Sequence, residues 1–217
     1  IFLNAIHTHN APYTQASGLF RDWLPLDQDA LKPADYLVFL KAQVLSAAKA
    51  AWEGRSAGGI APAFGNARIG HCRRAVYTNG TAEMYGDTTR PDFIGMEAGE
   101  DSGVDMLFTF NADGKPTGMI LNVACPSQVM ESTYQISSDY MGATRENLKL
   151  EFGADFHTLC QISAAGCQSP RDLTRAYRTE PDFWHADGVT ELAKRLTCAV
   201  QEAFPQTVGK IQTNPVF

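Results

Sequence analysis

The chain has 217 residues, 44% of them hydrophobic, a formal net charge of −6 and an isoelectric point near 5.3. That length and apolar content suffice for one full core, as a single domain or a domain with an excursion. The acidic balance argues against a nucleic-acid partner, because a phosphate-binding surface makes a domain basic, and no apolar run approaches the ~20 residues needed to cross a bilayer.

The five cysteines, Cys72, Cys125, Cys160, Cys167 and Cys198, are an odd number without tight pair spacing. They do not read as a disulfide scaffold; free or metal-bound thiols fit better, and the redox compartment stays open. No secretory signal is visible, although a chain lacking its true N-terminus would not show one.

In chain order, Ile1 to Ile6 reads as a buried strand that ends at polar loop residues. A loop with prolines and aromatics follows, through Leu31. PADYLVFLKAQVLSAAKAAWEGR then predicts a helix: Leu37, Leu40, Val44, Leu45, Ala48 and Trp52 recur at three- and four-residue steps, and Pro33 suits a first turn. SAGG at 56–59 is expected to stop it. Residues 60–80 read as extended, and 87–103, polar and acidic, as a surface loop or a lid. VDMLFTF and TGMILNVA flank Asn-Ala-Asp-Gly-Lys-Pro, the signature of a β-hairpin. SSDYMGATRENLKLEF predicts a helix capped by Ser137 or Ser138, with Asp139 in its first turn. FHTLCQIS is the next strand and AAGCQSPRD a loop after it. DGVTELAKRLTCAVQEAF closes as an amphipathic helix, with Val189, Leu192, Leu196 and Val200 on one face. Strands alternating with helices predict a layered α/β fold over 1–217, a mixed β-sheet flanked by helices with one β-hairpin.

The chemistry-bearing residues gather where strands end. His7 and His9 sit one residue apart, so in a strand both imidazoles project to the same side; one could ligate a metal while the other handles protons. The plain alternative is two polar residues at a strand end. TGMILNVA runs into Cys125-Pro126-Ser127-Gln128, and FHTLCQIS runs toward Ser169-Pro170. Three strands ending this way could build one rim, the usual place for a ligand in an α/β sheet. As a thiolate, Cys125 would be a good zinc ligand; as a thiol, a small buried hydrophobe. Ser169 could be a nucleophile or a hydrogen-bond donor, but it lacks the G-x-S-x-G elbow and could equally be a loop serine. Arg73 and Arg74 could bind a carboxylate or a developing oxyanion, or simply be solvated or salt-bridged. His157, inside an apolar run, reads as a core histidine, and His185 as structural.

In combination and order, IHTHNAP, GHCRRAVYTNGTA, LNVACPSQ followed by ISSDYMG, and SAAGCQSPRD resemble the neutral ceramidase family, zinc-dependent amidases also called neutral/alkaline non-lysosomal ceramidases. The resemblance is to the N-terminal catalytic part and runs from Ile1 to about Asp172. It implies His7 as a Zn2+ ligand, His9 as the proton handler, Arg73 as an active-site arginine and Ser169 as an active-site serine. It places Cys125 at the family's second zinc histidine, with Pro126 the neighbouring choice. It also marks departures: Cys72 stands for the family's asparagine and Cys167 for its aspartate. The family's glutamate and tyrosine ligands have no counterpart before Phe217, so the chain is expected to be a piece of a longer catalytic domain, with the remainder of that chain as its partner.

The expected function is therefore zinc-dependent hydrolysis of an amide (N-acyl) bond. The substrate would be a small-molecule or lipid-like N-acyl compound, a sphingolipid by resemblance, with access from a membrane surface possible. The resemblance favours a secreted or periplasmic setting. The departures keep a second expectation open, a non-catalytic lipid- or carbohydrate-binding or structural domain that retains the fold. A metal-free serine hydrolase using Ser169 is a third.

Overall fold

A computed structural model describes residues 2–14, 31–175 and 184–215. Most of the loop expected between the first strand and Leu31 lies outside the described residues. The chain divides into two compact units, one formed by Ile1–Leu3 and Ala11–Ser56, the other by Asn4–Asn10 and Ala57–Phe217.

The first unit carries helix α1 (Pro33–Glu53), which starts on its proline, holds Asp35 in its first turn and ends at Gly54. Proline costs nothing at a first turn, where its missing N–H has no intrahelical partner to lose. None of the residues of α1 is buried, and Leu45 and Trp52 on its apolar side are exposed.

The second unit is built on a four-stranded mixed sheet with strand order β1-β6-β7-β8. Its members are β1 (Gly58–Asn66), β6 (Gly103–Asn111), β7 (Pro116–Val123) and β8 (His157–Ile162). β1 and β7 each run antiparallel to β6, and β6 and β7 form the expected hairpin, with Met106 opposite Leu121 and Phe108 opposite Met119. β8 runs parallel to β7, which requires a crossover. Helix α2 (Asp139–Phe152) supplies it. Helix α3 (His185–Ala203) packs beside α2.

Period-two alternation sends Val104, Met106, Phe108 and Phe110 of β6 to one face. There they meet Leu148 of α2 and Leu192, Leu196 and Val200 of α3. Phe108 is fully buried, edge-on to Phe204 at 5.3 Å and to Phe152 at 6.3 Å. The face predicted for α3 is thus the one that closes the core.

Two small sheets complete the unit. β2 (His71–Cys72) pairs with β9 (Gln168–Ser169), and β3 (Arg74–Tyr77) lies between β4 (Ala82–Met84) and β5 (Phe93–Met96). Gly70 brings the first of these sheets close to the main one: a Cβ there would lie 2.7 Å from the Ala124 carbonyl oxygen.

Four expectations are corrected. Phe2–Ile6 is not a buried strand: it forms no ladder and is largely exposed, tied to the edge strand β8 through Asn4 Nδ2, which donates to the Cys160 carbonyl at 2.6 Å. The helix stops earlier than SAGG, at Gly54, and Gly58 and Gly59 open β1. Stretch 87–103 contains β5, which pairs with β3, so it is not all loop. His157 is exposed at the start of β8, outside the core.

Candidate active site

Because β7 and β8 are parallel, the loops that follow them leave from the same end of the sheet. A cleft of about 220 Å³ opens there. Its wall takes Pro126 and Gln128 from the loop after β7, Ile162, Ser163, Ala165 and Gly166 from the end of β8 and its loop, Arg73 from just beyond β2, and His7 and His9 from the N-terminal segment. Ligand sites of drug-sized molecules run from roughly 300 to 1,000 Å³. This cleft is smaller and matches the polar centre of a ligand better than a long acyl chain.

The segment that carries the two histidines is held by hydrogen bonds, which replace the expected ladder. His9 N donates to the Ser127 carbonyl at 3.1 Å, and Thr8 Oγ1 to the Ser137 carbonyl at 2.7 Å. Buried Asn10 is the anchor: its Nδ2 reaches the carbonyls of Met130 at 2.9 Å, Thr133 at 2.9 Å and Gln135 at 3.0 Å, and its own carbonyl accepts from Ser137 N at 3.0 Å. Asp139 braces the same loop, with Oδ2 accepting from Met130 N at 2.9 Å and Oδ1 from Tyr140 N at 2.8 Å. Burial raises the Asp139 pKa, and those amide donors and His9 oppose the rise.

His7 adopts φ 56° and Tyr85, behind Arg73, φ 54°, both in the left-handed region that side chains rarely adopt. Such positions cluster at functional sites, where the surrounding contacts over-determine them. The rings of His7 and His9 stack with centroids 5.4 Å apart.

Behind the wall runs a continuous polar chain. His9 Nδ1 lies 2.8 Å from Glu131 Oε2. Gln128, 1% exposed, donates from Nε2 to that same carboxylate oxygen at 3.3 Å and to Tyr85 OH at 2.7 Å. Tyr85 OH also accepts from Arg73 Nη1 at 3.1 Å and donates to Ser169 Oγ at 3.4 Å. Arg73 Nη2 donates to the Gly166 carbonyl at 3.0 Å. With Nδ1 committed to Glu131, the second nitrogen of His9 is left to face a ligand, the arrangement that orients a histidine for proton transfer.

Of the residues singled out from the sequence, His7, His9 and Arg73 come together on one cleft. Ser169 and Cys125 do not join them. Ser169 is fully buried in β9, where its Oγ accepts from Arg171 N at 3.2 Å and from Tyr85 OH and, among the described residues, hydrogen-bonds to no imidazole or carboxylate, so no base is in place to activate it. Cys125 is fully buried in the core cluster, and burial pushes its thiol pKa far up, away from the thiolate that binds a metal. Its neighbour Pro126, which has no donor side chain, occupies the wall instead. Arg74 follows the plain expectation: it pairs with Glu97, which receives both Nε and Nη2.

Zinc is what the resemblance implies, and the donor set tests it. Among the described residues, no group of three or more His, Cys, Asp or Glu side chains is placed to hold a metal ion. His7 is available on the cleft, Cys125 is sealed behind it and Pro126 cannot ligate. The described residues therefore do not by themselves fit a zinc site.

Glu131, Gln128 and Tyr85 carry no motif of their own. Gln128 and Glu131 lie just past the strand end at Val123, where a polar residue next to an apolar run is the only signal. Tyr85 has none: it follows β4, and the β3–β4 and β2–β9 pairings bring it beside Arg73 and Ser169.

No protein-family model matches the chain, and no curated protein matches its sequence. Solved structures do match its fold. A neutral ceramidase from Pseudomonas aeruginosa superposes with a TM-score of 0.62 at 18% identity, covering 83% of this chain and 28% of that one. A ceramidase complexed with C2 superposes with a TM-score of 0.54 at 20% identity, covering 73% and 24%. The chain thus spans about a quarter of the length of either structure and has, over that span, a ceramidase-like fold.

Proposed function

We propose that this chain carries part of the active site of a ceramidase-like hydrolase that cleaves an amide (N-acyl) bond. The single observation that carries the reading is the His9–Glu131 contact of 2.8 Å on the wall of a cleft shared with Arg73. Glu131 holds Nδ1 of His9, and the opposite, unprotonated nitrogen takes a proton from the attacking water and then passes it to the leaving amine, a role that contributes roughly 10²–10⁴ in rate. Arg73 supplies positive charge on the same cleft, where negative charge builds on the attacked carbonyl.

Zinc belongs to this reading through the resemblance alone. His7 is the residue of this chain that would hold it, and its other ligands would have to come from outside the described residues. The proton and charge chemistry assigned here uses this chain's own groups.

A hydrolysis assay with two fluorogenic N-acyl compounds, an N-acyl sphingosine and an N-acyl amino acid, tests the reading. Release of the fluorophore, reduced about 10²-fold or more in His9→Gln, supports it. Turnover that is indifferent to His9 overturns it. Metal content measured on the same preparations, with His7→Ala lowering bound zinc, tests the metal part separately.

A second reading, a non-catalytic binding domain, is favoured by Pro126 on the wall where a second ligand is expected and by Cys72 and Cys167 in place of the family's asparagine and aspartate. Saturable binding of either amide without turnover would select it.

A further inference from the structure

Among the described residues, Arg73 has no acidic partner. Both of its hydrogen-bond acceptors, Tyr85 OH and the Gly166 carbonyl, are neutral, and its Nε is buried without a partner. Several other arginines of this unit are matched to acids, Arg74 to Glu97, Arg90 to Asp92 and Glu83, Arg68 to Glu100, while Arg145, away from the cleft wall, donates to the Thr158 carbonyl. The contrast is sharper in a chain with 24 acidic and 18 basic residues, where carboxylates are in excess. The nearby Glu131 is engaged by His9 and Gln128.

A partly buried charge without an opposite charge is costly, and proteins leave one mainly where a ligand completes the pair. A transient oxyanion completes it only during the reaction; a permanent anion completes it in the resting complex as well. The ligand is best matched as a carboxylate. One planar guanidinium pairs naturally with one carboxylate, whereas a phosphate is ordinarily held by several donors, such as a helix N-terminus or a lysine and arginine cluster, and among the described residues of this wall Arg73 is the one permanent cation.

We propose that Arg73 is a substrate-binding residue that makes this cleft a carboxylate subsite, so that the N-acyl compound taken here is an N-acyl amino acid and not a neutral N-acyl amine. The proposal rests on the reading of the cleft as an N-acyl site. In an N-acyl α-amino acid a single carbon separates the carboxylate from the amide nitrogen, a span suited to a cleft of about 220 Å³ that holds His9 and Arg73 together.

Calorimetric binding to His9→Gln, in which turnover is suppressed, tests it with N-dodecanoylglycine and its neutral twin, N-dodecanoylglycinamide. The carboxylate is expected to bind at least about tenfold more tightly than the amide, with a preference that shrinks at high salt and is lost in the Arg73→Gln, His9→Gln double variant. Equal affinities overturn the proposal before any Arg73 variant is needed, as does failure of both to bind; so does a preference that survives Arg73→Gln in a variant with native circular dichroism. In the otherwise intact protein, a carboxylate site predicts that Arg73→Gln raises KM for N-acylglycine more than it lowers kcat, while the reverse split assigns Arg73 to the transition state only and removes the subsite. Carboxylate binding without hydrolysis leaves the subsite standing and removes the proposed reaction, so the two failures are distinct.

Discussion

His9 and Glu131 meet at 2.8 Å although 122 positions separate them in the chain, and both side chains are about a third exposed, at 35% and 29%. At that exposure the pair contributes little to stability; its value is orientation. A carboxylate on Nδ1 fixes the tautomer that leaves the other nitrogen unprotonated and directed at a ligand. Glu131→Ala should therefore lower kcat by about 10²-fold with a smaller change in KM, while the melting temperature moves little. Imidazole nitrogen NMR supplies a readout independent of turnover: His9 should carry its neutral-state proton on Nδ1 in the parent and shift toward Nε2 in the variant. Identical tautomers in both proteins would remove Glu131 from this role.

Cys125 tests the metal expectation from the other side. It is fully buried, and a thiol pushed up by burial is neither nucleophilic nor a ready ligand. Iodoacetamide on the native protein should label exposed Cys198 and leave Cys125 unmodified. Cys125→Ala should leave any bound zinc unchanged, and Pro126→His, which places an imidazole on the wall shared with His7 and His9, should tighten binding of Zn2+ or Co2+. Rapid labelling of Cys125, or zinc lost with its thiol, would restore it as a ligand.

The contrast between these two residues shows what can be read from such a sequence. β6, β7, α2 and α3 are legible because each buries a face, so the periodicity of VDMLFTF or of Leu192, Leu196 and Val200 reports the core directly. The rim is legible for a related reason: apolar segments stop where the chain turns to polar residues, and all three expected ends meet at the cleft, two of them leaving true strands. The first segment fails because Ile1–Ile6 has the composition of a strand, whereas a ladder depends on a neighbour, which no local pattern encodes. Side-chain direction fails similarly. Cys125 and Pro126 are adjacent, and which of them faces the cleft is decided by the turn after β7. Tyr85 is brought in by the local β3–β4 hairpin together with the β2–β9 pairing, whose two strands lie far apart in sequence.

The aromatic cluster around Phe108 offers a direct test of the core. Phe108 is fully buried between the sheet and Phe152, Phe204 and Phe110. Phe108→Ala should cost about 3–5 kcal/mol by removing the ring and leaving a cavity, while Phe108→Leu, which keeps most of the volume, should cost clearly less. Urea unfolding with an unchanged m-value measures the difference. A loss below ~1 kcal/mol for the alanine variant would mean that the second unit does not close on this cluster.

His71 should set the acid limb of the stability curve. It is 4% exposed, its Nδ1 lies 3.7 Å from Asp172 Oδ2, and its Nε2 is buried without a partner. Burial lowers its pKa; Asp172 and Glu100 oppose that, while Arg68 and Arg195 add to it. The folded state therefore keeps the ring neutral at pH values where the unfolded chain, near 6.5, already binds a proton. The unfolded state binds more protons in that window, so the contribution is complete above about pH 6.5 and is lost as the pH falls toward the folded-state pKa, with a slope of at most about 1.4 kcal/mol per pH unit. His71→Gln, which cannot titrate, should be less stable than the parent near neutrality yet show a flatter profile between about pH 5 and 7. Urea midpoints collected across that range decide the matter: parallel curves for the two proteins would mean that His71 titrates alike folded and unfolded, and that its enclosure beside Asp172 contributes nothing to acid sensitivity.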